Sequence, residues 1–305
     1  MSDPTAITLP FATCDVFTEV AFGGNPLAIV EGADALSVAQ MQTIAREFNL
    51  SETIFVQSPD DPAHTAKVRI FFPTAEIPFA GHPTIGCAIH LALKDAPDGD
   101  FDTQVTLEEQ AGLVPVQVWR TEGRVMAEFR APVIPHAVEG VTTPGTDLLA
   151  GALGITPETI GFGRHRPAVW QGGPRFLYIP VRTLGTLAQA RPQEPRWSEV
   201  MEVAGVGSAY LYTPGDACDF RARMFSPTAG IPEDPATGSA SAILAAQLMA
   251  SGALTGTNQF TLHQGVEMAR PSGITLTVLS EGDRIETVLV RGSAVPISQG
   301  RIRIP

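Results

Sequence analysis

Cysteine is scarce in this chain. Only Cys14, Cys87 and Cys218 occur among its 305 residues, an odd, widely spaced set without a CxxC pair. That excludes a disulfide framework and suits reduced thiols in a cytoplasmic protein. Charge is sparse too, at 17% of residues, and the balance of 20 basic against 32 acidic side chains leaves a net charge of -12. The basic residues stand singly, so no surface that tracks phosphates is expected and nucleic acid is excluded as a partner. Long apolar runs are missing: the longest, Ser239 to Leu254, contains Gln247, Ser251 and Gly252 and falls short of the roughly 20 residues of a membrane span. The opening Met1-Ser2-Asp3-Pro4 has no basic region leading into an apolar one, so no secretory signal is expected. The six histidines, His64, His82, His90, His136, His165 and His263, have no metal-ligand spacing with one another or with cysteine, and no metal site is expected. No Walker loop, no Gly-x-Gly-x-x-Gly after a strand and no Gly-x-Ser-x-Gly is present, which argues against a nucleotide cofactor and a serine hydrolase.

What the chain does contain is a copy of itself. Arg69-Ile-Phe-Phe-Pro-Thr-Ala-Glu-Ile-Pro78 returns 154 positions later as Arg223-Met-Phe-Ser-Pro-Thr-Ala-Gly-Ile-Pro232. Around this core, Thr106-Leu107 with Gln110-Ala111-Gly112 echoes Thr261-Leu262 with Gln264-Gly265, and Gly24-Asn25-Pro26 before a strand echoes Gly173-Pro174 before Phe176 to Val181. One period near half the length marks a duplication, and two such halves pack most simply about a pseudo-twofold axis. The length suits two lobes of roughly 150 residues. We place the boundary at Arg130-Ala131-Pro132, giving an N-terminal lobe over 1–130 and a C-terminal lobe over 131–305 whose last strand is able to cross back.

Alternation predicts strands at Ala12 to Phe17, Pro26 to Val30, Thr53 to Gln57 and Lys67 to Phe72, and a hairpin of Leu113 to Trp119 with Arg124 to Phe129. In the second half it predicts Phe176 to Val181, Ala209 to Tyr212, Arg221 to Phe225, and Ile274 to Leu279 paired with Arg284 to Arg291 across Glu281-Gly282-Asp283. Leu36 to Phe48 reads as an amphipathic helix with Ser37 as its cap. Gly81 to Leu93 and Gly238 to Ala250 are apolar all round and should each be buried within a lobe. The expected fold is therefore α+β, with each lobe a curved, mostly antiparallel sheet or barrel around a central helix.

Both buried helices begin at a glycine. A buried helix start offers unpaired N–H groups and a partial positive charge, which suits a carboxylate, and Gly81 and Gly238 let a ligand approach the backbone. The polar residues nearby are placed unequally between the copies: Gly81-His82 corresponds to Gly238-Ser239, Asp234 to the apolar Ala80 in the 154 register, and Glu52 to an alanine in Ser208-Ala209-Tyr210-Leu211-Tyr212. That inequality is what an acid and a base acting on an asymmetric substrate require. Glu52 is the candidate general base. Individually, each has a plain structural explanation: Asp234 before Pro235 or Ser239 as a helix cap, Glu52 at a strand edge, His82 in a loop. No lysine lies in either helix start, which argues against a Schiff-base cofactor there.

Asp15-Val-Phe-Thr with Phe22-Gly-Gly-Asn-Pro-Leu-Ala-Ile-Val30, Ser51-Glu-Thr-Ile-Phe-Val56, Phe79-Ala-Gly-His-Pro-Thr84, Glu233-Asp-Pro-Ala-Thr-Gly-Ser-Ala240 and His263-Gln-Gly265 together resemble the phenazine-biosynthesis isomerase (PhzF-like) family, in order along the whole chain. The resemblance implies the two-lobe fold of diaminopimelate epimerase, often as a homodimer, with the active site in the cleft between the lobes. In the epimerase relatives two cysteines stand at the helix starts; here His82 and Ser239 occupy those positions and Cys87 lies a turn further in, which disfavours a two-thiol racemase. By resemblance, Glu52 abstracts and returns a proton at carbon, and His82, Asp234 and Ser239 bind substrate and relay protons. N–H groups around Gly81 and Gly238 hold a carboxylate, and Asn25, Gln264 and Gly265 are further candidates for substrate contact. The implied reaction is a cofactor-independent isomerisation of a small carboxylic acid, as on a dihydro-hydroxyanthranilic acid. The alternatives are an epimerase or dehydratase of an amino or hydroxy acid, and a non-catalytic binding protein of the same fold.

Overall fold

A computed structural model describes residues 7–305. Their contacts divide into two units, one running to Arg130 and including Arg291–Pro305, the other spanning Ala131–Val290.

In the first unit, β1 (Thr8–Val16) pairs antiparallel with β2 (Asn25–Glu31), and α1 (Val38–Phe48) carries the chain over to β3 (Glu52–Gln57), parallel to β2. The expected cap is part of a reciprocal box, with the Ser37 hydroxyl accepting from Gln40 N–H and the Gln40 side chain accepting from Ser37 N–H. β4 (Ala66–Phe71) returns antiparallel to β3 and leads through β5 (Glu76–Ile77) into α2 (Gly81–Asp95). α2 crosses to β6 (Phe101–Glu109), parallel to β4, and β7 (Gly112–Thr121) and β8 (Arg124–Arg130) follow as hairpins. Strands β1, β2, β3, β6, β7 and β8 all pack on α2, which explains why its first nine residues are buried although only an apolar all-round sequence tolerates that. The approach is close: a Cβ on Gly86 would stand 2.6 Å from Leu27 Cδ2 and 2.7 Å from Val16 Cγ2.

The second unit repeats this path. After β9 (His136–Ala137) and α3 (Thr146–Leu153), β10 (Ala168–Gln171) pairs antiparallel with β11 (Arg175–Pro180). α4 (Leu184–Gln189) and α5 (Arg196–Ala204) lead to β12 (Ala209–Pro214), parallel to β11. β13 (Phe220–Ser226), β14 (Ile231–Asp234), α6 (Gly238–Ala250) and β15 (Thr257–Gln264) then mirror β4, β5, α2 and β6, down to the parallel pairing of β13 with β15. β16 (Ser272–Glu281) is antiparallel to β15. The last strand, β17 (Arg284–Arg303), leaves the second unit and ends in the first, where Ala294 to Arg303 pair with β1 across a bulge at Thr13/Cys14.

α6 is buried from Gly238 to Leu248, and two of its polar side chains, Ser241 and Gln247, are hydrogen-bonded as burial demands. Ser241 Oγ donates to Thr237 O, and Gln247 Nε2 donates to Arg166 O and Tyr212 Oη while its Oε1 accepts from Trp170 Nε1. This is the expected α+β class, with mostly antiparallel strands around a central helix in each unit. β5, β6, β9, β10, β14, β15, α3, α4 and α5 were not anticipated as elements. Polar residues interrupt β15, whereas α5 buries Trp197, Val200, Met201 and Ala204 at helical spacing.

Candidate active site

The first unit gathers three of the expected residues at the start of α2. Glu52 is the first residue of β3, Asn25 the first of β2 and His82 the second of α2. The parallel pairing of Leu27 with Glu52 brings the two strand beginnings side by side. All three side chains are buried, at 6% exposure for Glu52, 0% for Asn25 and 2% for His82. Asn25 Nδ2 lies 3.2 Å from His82 Nδ1, and His82 Nε2 lies 3.4 Å from Glu52 Oε2. An amide NH₂ only donates, so Nδ1 is the accepting nitrogen and the ring proton sits on Nε2, toward the Glu52 carboxyl. Burial pushes the His82 imidazole down to about 3, and the ring is neutral over the physiological range. The cluster thus joins a carboxyl group to a neutral N–H donor in surroundings that water barely reaches.

The second unit holds the other expected residues at the start of α6. Asp234 ends β14, is 2% exposed and accepts from Thr237 Oγ1 at 2.6 Å. Gln264, fully buried at the end of β15, donates through Nε2 to Asp234 O at 2.8 Å and Thr237 Oγ1 at 2.9 Å, while its Oε1 accepts from Thr237 N–H at 3.2 Å. Its amide is therefore engaged in bracing the helix start. Gly265 is needed for the same reason: it has φ +71°, and a Cβ there would stand 2.5 Å from Arg270 O and 2.6 Å from Pro235 O. Ser239, second in α6, is 8% exposed. Neither Ala80 before α2 nor Thr237 before α6 caps its helix through a side chain, which leaves the first-turn N–H groups at Gly81 and Gly238 without intrahelical or capping partners of that kind.

The strand ladders correct the alignment of the two copies. Thr53 pairs with Phe71 and Ala209 with Phe225, so the counterpart of Glu52 is Ser208, not the alanine. Ile70 pairs with Ile77 and Met224 with Asp234, so Asp234 corresponds to Ile77 rather than Ala80. Lys67 pairs with Glu108 and Arg221 with His263, so Gln264 corresponds to Glu109 and Gly265 to Gln110. No single offset carries the repeat because the loops between strands differ in length. The inequality survives: neither carboxylate has a carboxylate opposite it. One device is truly shared, since Arg69 grips Glu76 and Arg223 grips Glu233 through paired Nε and Nη2 bonds of 2.5–2.8 Å.

Two residues at the helix starts were missed by the sequence reading. Thr237 bonds both Asp234 and Gln264. Glu109 is buried, its Oε1 lies within hydrogen-bond distance of Thr84 Oγ1 at 2.7 Å, and its carboxyl is pushed up to about 8 by loss of solvation. Its inward position was legible from the alternation of Val105, Leu107 and Glu109, all buried. Among the described residues no group of three His, Cys, Asp or Glu side chains is gathered as for a metal ion. No helix among them is long and apolar enough to cross a membrane.

A family model described as "Phenazine biosynthesis-like protein" matches residues 14–300. The chain belongs to that family. Over 299 residues it is 40% identical to an uncharacterized isomerase of Mesorhizobium japonicum, covering 95% of this chain and 97% of the relative. It is 34% identical to the trans-2,3-dihydro-3-hydroxyanthranilate isomerase of Pseudomonas aeruginosa, over 95% of this chain and 98% of that one. The fold matches the crystal structure of a PhzF-family phenazine biosynthesis protein of Bacillus anthracis with a TM-score of 0.84 at 23% identity, across 98% and 100% of the two chains. This member of the phenazine biosynthesis-like family is accordingly an enzyme of the isomerase type, as its motifs implied.

Proposed function

We propose that the protein isomerises a small unsaturated carboxylic acid of the trans-2,3-dihydro-3-hydroxyanthranilate type by moving one proton between carbons, with Glu52 as the base. The observation that carries this reading is the buried contact of Glu52 with a neutral His82 held by Asn25. A carboxylate removed from water is a stronger base toward carbon, and the neighbouring Nε2–H supports its negative charge without donating a full positive one. The proton leaves one carbon for Glu52, the double bond shifts, and Glu52–H returns the proton at the far carbon. Nothing is oxidised or reduced in that sequence, so the residues named suffice and no cofactor is required.

In this reading first-turn N–H groups at the start of a buried helix, Gly81 in the first unit and Gly238 in the second, suit a substrate carboxylate, and Asp234 and Ser239 suit substrate binding and proton relay. The bonds of Asp234 and of Gln264 described above support a refined role for Gln264 and Gly265, which shape the start of α6 rather than touch substrate. Three free cysteines support a cytoplasmic setting.

Proton NMR of trans-2,3-dihydro-3-hydroxyanthranilate and related cyclic acids, incubated with the purified protein, tests the proposal. Migration of the ring double bond is the expected result. Exchange at an α-carbon of amino or hydroxy acids with no bond migration would move the assignment to an epimerase.

A further inference from the structure

We propose that Glu109 is a positioning residue that works as a neutral acid. Its O–H donates to Thr84 Oγ1, Thr84 donates onward to the Ala80 carbonyl, and this chain fixes the first turn of α2, from which His82 faces Glu52. The catalytic consequence rests on the roles proposed for Glu52 and His82.

Hydrogen counting is the first argument. Thr84 Oγ1 lies 2.8 Å from Ala80 O and 2.7 Å from Glu109 Oε1, yet a hydroxyl has one hydrogen to donate. If Glu109 were ionised, two acceptors would compete for that hydrogen. A protonated Glu109 resolves the conflict by supplying the second. The other oxygen, Oε2, has no hydrogen-bond partner among the described residues, an arrangement that suits a neutral carboxyl and is costly for a buried anion.

The duplication supplies an independent argument. Glu109 and Gln264 hold the same place at the end of equivalent strands. In the second unit the neutral Gln264 donates to Asp234 O and Thr237 Oγ1 at the start of α6. A neutral donor from this strand position therefore braces the buried helix start in both copies, as an amide in one and as a carboxylic acid in the other.

The charged neighbours leave Glu109 to itself. Glu108 turns to His64, Gln110 to Glu76, Lys67 on β4 to Asp60 and Arg69 to Glu76; β7 sets Gly112 opposite Glu109. On α2, His82 is engaged with Asn25 and Glu52. Further along α2, His90 and Lys94 turn to Glu31, and Cys87 is buried and has its thiol pushed well up, in part by Glu109 itself. Burial raises the Glu109 carboxyl to about 8, so the acid form prevails at neutral pH and is lost in mild alkali.

The test is a carbon-13 NMR titration of the Glu109 carboxyl in the substrate-free protein, run together with the amide signals of Gly81, His82 and Thr84. It needs no turnover, so its failure is separate from failure of the proposed isomerase reaction. The expected result is a carboxyl midpoint near 8, with the three amide signals following the same curve in the wild type and staying fixed in Glu109→Gln. In a turnover assay, Glu109→Gln should retain kcat within about threefold and lose the alkaline decline near pH 8. A Glu109 carboxyl already ionised at pH 7, first-turn signals indifferent to its titration, or a Glu109→Gln variant that is folded yet loses activity more than tenfold would overturn the proposal.

Discussion

A neutral, buried His82 makes the stability of this enzyme depend on pH in a way that one substitution should erase. The imidazole is pushed down to about 3 in the folded protein, whereas the unfolded chain takes up the proton near 6.5. Between these values the unfolded state binds a proton that the folded state refuses, so stability falls as pH falls. The slope approaches 1.36 kcal/mol per pH unit and the full difference is roughly 4 to 5 kcal/mol by pH 3. From pH 6.5 to 4.5 alone, the loss from this one residue is about 2 kcal/mol. Urea unfolding followed by circular dichroism at both pH values, for the wild type and His82→Gln, isolates the contribution because every other titrating group is common to both. The wild type should lose about 2 kcal/mol more than the variant over that interval. Parallel losses would mean that His82 is hydrated or charged in the folded state, and the Nε2–H donor assigned to it would have to be abandoned.

Three further outcomes follow from the same geometry. Asn25→Leu removes the donor that fixes the His82 tautomer and should lower kcat by about tenfold or more, within the usual range of general acid–base contributions, while thermal unfolding stays cooperative. Gln264→Leu strips the start of α6 of two donated bonds and one accepted bond and should cost about 1–3 kcal/mol in chemical denaturation. Arg223→Met leaves Glu233 and the carbonyls of Leu187 and Ala190 without their partner and should cost about 3–5 kcal/mol, read as a lowered midpoint.

The repeat made most of the architecture legible. Matched motifs located both buried helices, and α6 begins and ends where its apolar run does, at Gly238 and Ala250. Glu52, His82 and Asn25 were each chosen from sequence, and the structure brings them into contact within one unit. What sequence misjudged was the register between copies: it set Ala209 against Glu52 and Ala80 against Asp234, since a fixed offset ignores loops of unequal length, whereas strand pairing does not. It also passed over Glu109, because an acidic residue next to Glu108 reads as solvated until the strand alternation is followed to its end. Thr237 was likewise hidden, since its importance lies in joining Asp234 to Gln264, a contact between residues distant in sequence.

The central claim is that Glu52 moves a proton at carbon. Deuterium incorporation into the isomerised product in deuterium oxide, measured by NMR for the wild type and for Glu52→Gln, tests it most directly. The account predicts isomerisation by the wild type, with deuterium at the newly protonated carbon only to the extent that Glu52–H exchanges with solvent before returning the proton, and a loss of isomerisation of about 10³-fold or more in the folded variant. Undiminished isomerisation by Glu52→Gln would contradict it and transfer the role of base to another residue.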